Sequence, residues 1–373
     1  MESKYDVQFI GLPSPTAPQA GWGAHPCQGL YYTPRGKRPR VAMFAAHYNV
    51  DFMEHYLAPY ACERGYAFLG WNTRFRGAED QFLLEHALVD IGVGTRWLKE
   101  QAGVDTLILL GNSGGSSLLA AYQGEATVST MAAEHTGALK DALGSFVKGD
   151  AFVSLNAHLG RPDVMTDWMD ASVTDEWDPA ATDASLDPFN PQNGPPYSEE
   201  FIARYRQAQR DRNQRITDWV KAEKVRLAEF GIDDRNFALA RTWGDLRCMD
   251  PSIDPSDRKP QWCYRGDPVE ANKGAGIGRS CSLNSWLSMW SLETSRCQSA
   301  EHLAKFDVPT LVVQGTADEG VFPRDARGIY DLVGTPHKEL RMVPGAHYLE
   351  GSDSDRRNAA TIIFDWTDRL LPR

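Results

Sequence analysis

The sequence predicts an α/β fold with a mostly parallel central sheet, helices on both faces, and a large, mainly helical insertion near its middle. Three observations lead there. Short apolar runs alternate with helix-periodic segments from residue 28 to 156, the alternation stops between 156 and 302, and it then resumes. Strands that alternate with helices pair in parallel, and such a sheet is covered on both faces. A length of 373 residues suits two units, or one large unit carrying an insertion.

Gln28–Thr33 and Arg40–Ala45 read as short strands, Asp51–Arg64 as a helix and Tyr66–Trp71 as a buried strand. Across Gln81–Glu100 the apolar positions Leu84, Leu88, Ile91, Val93 and Leu98 approximate one helical face. Asp105–Leu110 is an apolar run too short for a helix and flanked by Gly103 and Gly111. Ser116–Tyr122 reads as helix and Ala151–Leu155 as strand.

In the middle block, Thr174–Pro196 and Asp245–Gly278 are rich in turn-forming residues and read as loops. Glu199–Glu229 reads as a long helix. Its Arg204, Arg206, Arg210, Arg212 and Arg215 are expected on a solvated face rather than in a basic binding patch, because acids interleave with them. Leu283, Trp286, Leu287 and Trp290 recur at i, i+3, i+4 and i+7, the mark of an amphipathic helix. Val308–Gln314 and Leu340–Val343 then read as strands, Arg324–Leu332 and Arg356–Leu370 as helices. The expected organisation is one core, residues 1–156 and 302–373, with residues 157–301 inserted after the sixth strand.

The chain carries 39 Lys+Arg against 50 Asp+Glu, a formal charge of −11, which argues against a nucleic-acid partner. No apolar run approaches the roughly 20 residues of a membrane helix. The start, Met1 to Asp6, has neither a basic n-region nor an apolar h-region, so the expected location is cytoplasmic. Cys248, Cys263, Cys281 and Cys297 cluster, while Cys27 and Cys62 stand apart. The spacings are far wider than the paired cysteines of zinc sites, so no metal is expected, and free thiols are favoured over two disulfides.

The chemistry concentrates at Gly111-Asn112-Ser113-Gly114-Gly115, a G-x-S-x-G turn between a buried strand and a helix. That context suits a nucleophile elbow. The tight turn holds the hydroxyl up at the end of the sheet, and the Gly114 N–H, at the helix start, is placed to donate to a developing oxyanion. No lysine follows as a phosphate-binding loop would need. A base is expected after Ser113 at the same end of the sheet, which selects His347 over His337. The orienting acid is expected just past the preceding strand, at Asp318, with Glu319 and Asp325 as rivals and Asp307 at the wrong strand end. The loop after the third strand, Ala46-His47-Tyr48-Asn49, is expected to supply a second oxyanion donor through the Tyr48 N–H.

Gly111-Asn112-Ser113-Gly114-Gly115, Gln314-Gly315-Thr316-Ala317-Asp318 and Pro344-Gly345-Ala346-His347 together resemble the three signature segments of the α/β-hydrolase superfamily, in its order. The resemblance spans about residues 25–156 and 302–373. It implies the α/β-hydrolase fold, a lid over Ser113, and cofactor-free hydrolysis of a small-molecule ester or lactone through an acyl-enzyme. The usual His-Gly pair after the third strand is replaced by Ala46-His47-Tyr48. A carbon–carbon bond hydrolase of ring-cleavage products is the enzymatic alternative, and a ligand-binding protein of the same fold the non-enzymatic one. A homo-oligomer is compatible with the sequence.

Seven of the 11 tryptophans fall in the inserted block, where aromatics serve as core or as an apolar pocket wall. Trp286 and Trp290 are the pocket candidates, because their helix leads back into the sheet. His158 and Arg161 follow a strand's carboxyl end and so belong near Ser113, placed either to bind a polar or carboxylate group or to form a hinge or salt bridge. His47 is expected in the pocket wall or core. Asn72, Arg74 and Arg76 are expected to order a loop.

Overall fold

A computed structural model describes residues 4–178, 180–274 and 276–370. Its centre is an eight-stranded sheet: β1 (Tyr5–Leu12), β2 (Cys27–Pro34), β3 (Val41–Ala46), β4 (Ala67–Asn72), β5 (Thr106–Asn112), β6 (Ala151–Leu155), β7 (Thr310–Gly315) and β8 (Lys338–Val343). The spatial order is β1-β2-β4-β3-β5-β6-β7-β8. β2 runs antiparallel to β1 and β4, and every other pairing is parallel. The residues of β3, β4 and β7 are buried throughout, which is why these strands read as continuous apolar runs rather than alternations.

Successive side chains of each strand feed opposite faces. Phe44, Leu69, Leu109 and Phe152 pack with helices α2 (Leu84–Glu100) and α3 (Gly114–Thr127), whereas Met43, Phe68, Ile108 and Val153 lie on the other face. There they meet helix α1 (Ala58–Arg64) and a C-terminal helix over Asp353–Leu370.

Between β6 and β7 the chain leaves the sheet. Helices α4 (Arg161–Trp168) and α5 (Glu199–Ala228) are the main regular elements there, with a two-residue ribbon pairing Asn236–Phe237 with Cys281–Ser282. Part of this block forms its own cluster around Trp168, Tyr205, Trp243 and Leu246, and part joins the sheet's core through Leu283, Trp286 and Trp290.

Four local expectations change. The edge strand β1 was not read as a strand, although Tyr5-Asp6-Val7-Gln8-Phe9 alternates apolar and polar residues; four of its eight residues are exposed and only Ile10 is buried. The helix expected over Asp51–Arg64 begins only at Ala58. The Asp51 carboxylate accepts from Met53 N–H at 2.9 Å and Asn72 Oδ1 from Phe52 N–H at 3.0 Å, holding a loop until Pro59 starts the helix. The arginines of α5 are not simply solvated. Arg212 is fully buried and bidentate on Glu176 at 2.7 Å twice, and Arg206 bonds Asp245 at 2.8 Å. These side chains supply the donors that a block poor in strands otherwise lacks. The Leu283–Trp290 helix is a short α turn followed by a wider π turn over Trp286–Trp290. All six cysteines are buried free thiols.

Candidate active site

Ser113 sits at the turn from β5 into α3 with φ 56° and ψ −132°, a conformation L-residues rarely adopt. Two neighbouring glycines permit it. A Cβ on Gly111 would lie 2.3 Å from the Ser116 Cα, and one on Gly115 2.3 Å from the Ala46 carbonyl oxygen. The turn is pinned by the Ser113 N–H, which donates to the Leu155 carbonyl at 2.9 Å. Asn112 reinforces it, its amide donating to the same carbonyl at 3.0 Å while its oxygen accepts from Tyr56 at 3.0 Å.

The Ser113 hydroxyl meets His347 Nε2 at 2.9 Å, and His347 Nδ1 lies 2.9 and 3.0 Å from the two oxygens of Asp318. Asp318 is 1% exposed and also accepts from the N–H groups of Gly320 and Val321 at 2.7 and 2.9 Å. Burial disfavours the imidazolium of His347, but the adjacent Asp318 carboxylate and its hydrogen bond outweigh it and raise the pKa above the ordinary histidine value. The loops carrying the two residues are tied together. Thr316 N–H donates to the Val343 carbonyl at 2.8 Å and Ala317 N–H to the Gly345 carbonyl at 3.0 Å.

The rivals lie elsewhere. Asp325 accepts from Phe322 N–H at 2.9 Å and faces Arg247. Glu319 makes no hydrogen bond to His347 among the described residues. The backbone of His337 accepts from Thr310 N–H at the start of β7, and Asp307 pairs with Lys148.

One contributor escaped the sequence reading. Asn156, directly after β6 with φ 44°, accepts from Gly315 N–H at 2.6 Å and donates to the carbonyls of His347 at 2.6 Å and Ala346 at 3.2 Å. It thereby joins the ends of β6 and β7 to the His347 loop. Its only sequence signal is an amide residue at a strand's carboxyl end.

A cavity of about 560 Å³ opens over Ser113 and His347. That lies within the roughly 300–1,000 Å³ typical of small-molecule sites. His47, His158 and Arg161 line it, together with Trp168, Trp243 and Tyr264 from the inserted block. The rings of Trp168 and Trp243 pack at 4.9 Å. The candidates Trp286 and Trp290 are fully buried and not among the lining residues. Trp286 donates to Thr217 at 3.0 Å, and the π turn directs both indoles into the core. Tyr48 is buried with its hydroxyl on Ser117 at 3.0 Å and lies outside the cavity lining. Burial, then the Arg161 charge, pushes the pKa values of His47 and His158 well down, which favours the uncharged rings. Arg74 is clamped on Asp90 at 2.8 and 2.5 Å and Asn72 on Asp51 at 2.8 Å, in loop-ordering positions. The acid–histidine group Glu125, Glu301 and His302 has metal-like spacing among the described residues, but Lys305 and Arg296 already supply its countercharge.

The strand order, the turn at Ser113 and the placement of Asp318 and His347 after β7 and β8 define the α/β-hydrolase fold. Over 99% of its length the chain is similar to the alpha/beta hydrolase GrgF from Penicillium sp. sh18, with a TM-score of 0.54, 10% identity and 100% of that chain covered. It is likewise similar to DcsB, solved in complex with its substrate analogue, at TM-score 0.55 and 14% identity, covering 99% of this chain and 100% of that one. No protein-family model matches the sequence, and no curated protein does. At these identities the likeness speaks for the fold alone.

Proposed function

We propose that this protein is a serine hydrolase cleaving a carboxylic ester or lactone of a small molecule. The reading is carried by the unbroken hydrogen-bonded line from Ser113 Oγ through His347 to the buried Asp318 carboxylate. Ser113 Oγ attacks the carbonyl carbon while its proton passes to His347 Nε2. Asp318 holds the imidazole tautomer through Nδ1–H and stabilises the imidazolium. The developing oxyanion is met by the Gly114 N–H at the start of α3 and by the Tyr48 N–H from the loop after β3. His347 then protonates the departing alkoxide. Water, deprotonated by the same ring, releases the acid and restores Ser113. Residues 157–301 act as the lid, and Trp168 and Trp243 form an apolar, aromatic wall for the substrate.

The test is Ser113→Ala assayed on p-nitrophenyl acetate, with fluorophosphonate labelling in parallel. Hydrolysis and labelling are both expected to vanish. Wild-type turnover in the variant overturns the assignment.

A further inference from the structure

The cavity contains a charge that this hydrolysis does not use. Arg161, at the start of α4, is 4% exposed, and its guanidinium lies 4.5 Å from the ring centroid of Tyr48 and 5.3 Å from that of Trp290. Its Nε and Nη2 are buried and hydrogen-bond to no group among the described residues. A guanidinium stays protonated, and burying it without an acceptor is costly. Elsewhere in this chain the same Nε/Nη2 edge grips carboxylates, as in Arg74 on Asp90 and Arg212 on Glu176.

Its location ties it to the proposed chemistry. A Cβ on Gly114, the residue after the nucleophile, would sit 2.8 Å from Arg161 Nη2. The Glu79 charge favours the guanidinium, but no acid among the described residues pairs with it directly. Glu79 faces the cavity, but its carboxylate accepts from Gly278 N–H at 3.3 Å, and no ion pair within 4.0 Å joins it to Arg161. Arg265 and Arg279 also line the cavity, are exposed, and make no ion pair among the described residues. Three arginines thus face Glu79 and Asp80, a local positive excess in a chain of net charge −11.

We propose that Arg161 is the anion receptor of this site and that the substrate carries a carboxylate close to the scissile carbonyl, as in the monoester of a short dicarboxylic acid. The proposal rests on the hydrolase reading for the reaction but not for the binding. The planar fork pairs with a carboxylate in two parallel hydrogen bonds, and the Tyr48 and Trp290 rings hold its orientation.

The kinetic test compares p-nitrophenyl acetate with mono-p-nitrophenyl succinate in the wild type, Arg161→Gln and Arg161→Lys. The wild type is expected to favour the succinate in kcat/KM by about 100-fold, and Arg161→Gln to lose about 100-fold of that preference. Arg161→Lys, which keeps the charge but not the fork, retains an intermediate preference and decides the matter alone if Arg161→Gln does not fold. Equal rates on both esters in the wild type, or an equal fall on both in the variants, overturn the proposal.

A binding arm separates this result from the reaction. Monomethyl succinate and dimethyl succinate are titrated calorimetrically into Ser113→Ala and into the Ser113→Ala, Arg161→Gln double variant. The monoester is expected to bind at least about tenfold more tightly than the diester, and only while Arg161 is present. Such binding without any wild-type turnover upholds the receptor and removes the hydrolase reading. Equal binding of the two succinates overturns the receptor even where hydrolysis stands.

Discussion

In the proposed mechanism His347 accepts a proton, which it can do only above its own pKa, and two opposing influences set that value. Burial lowers it, and Asp318 at 2.9 Å raises it by more. The neutral base is therefore lost as pH falls through a value above the ordinary histidine pKa of about 6.5. The acid limb of kcat/KM is expected above that value. In Asp318→Asn the raising charge is gone while burial remains, so the limb moves below it and kcat falls by about three to four orders of magnitude. A pH–rate profile of both proteins decides this, and an unmoved limb would remove Asp318 from the role. Asn156→Ala deletes two hydrogen bonds to the His347 loop and one to the end of β7. Urea unfolding should show a loss of about 2–4 kcal/mol, since buried partners are left unsatisfied. A loss below about 0.5 kcal/mol would show that the loop is held by other means.

At the scale of elements, the turn from β5 into α3 depends on close backbone approach. Gly115→Ala places a methyl 2.3 Å from the Ala46 carbonyl oxygen, which has no flexible end to yield. That variant is expected to unfold at markedly lower temperature and to lose fluorophosphonate labelling, read by melting and by gel. Helix α5 has a different dependence. Arg212→Ala removes a donor from Glu176 and from three carbonyls and is expected to cost about 3–5 kcal/mol. Arg210→Ala, whose side chain among the described residues bonds only the exposed Gln207 on the same helix, should stay within about 0.5 kcal/mol. Equal effects in chemical denaturation would contradict the buried-strut role of Arg212. The sequence marked α5 almost residue for residue, yet misread what its arginines do, because interleaved acids look alike whether they pair with water or with the block's own loops.

Across the whole molecule, the inserted block and the sheet share one hydrophobic cluster: Trp286 and Trp290 belong with Phe44, Leu109 and Phe152. Unfolding should therefore be a single transition, with tryptophan fluorescence, which reports mainly on the block, coinciding with the far-ultraviolet signal of the whole chain. Two separated transitions would mark the block as an independent unit. The thiols give a second global check. All six are buried, so Ellman's reagent should find almost none in the native protein and six after denaturation. Rapid native labelling would contradict their burial. No described helix is long and apolar enough to cross a membrane.

By itself the sequence determined what local rules control. Apolar runs of strand length, helical periodicity and the glycines around Ser113 depend on neighbours within a few positions, so the α/β alternation, the insertion and the tight turn at Ser113 were all legible. That Ser113, Asp318 and His347 all follow strand ends on one side of the sheet was legible too, because strand ends are countable. Only the tertiary structure decided which side chains share the cavity. Trp168 and Trp243 rather than Trp286 and Trp290 reach it, since the direction of an indole depends on a π turn and on partners such as Thr217, 69 positions away. The same holds for Asn156, whose partners lie 159, 190 and 191 residues along the chain. Arg161 is the sharpest case. Its type and place after β6 were visible in the sequence, but its lack of an acceptor emerges only when every neighbouring carboxylate has been given a position, because pairing is a property of distance in space.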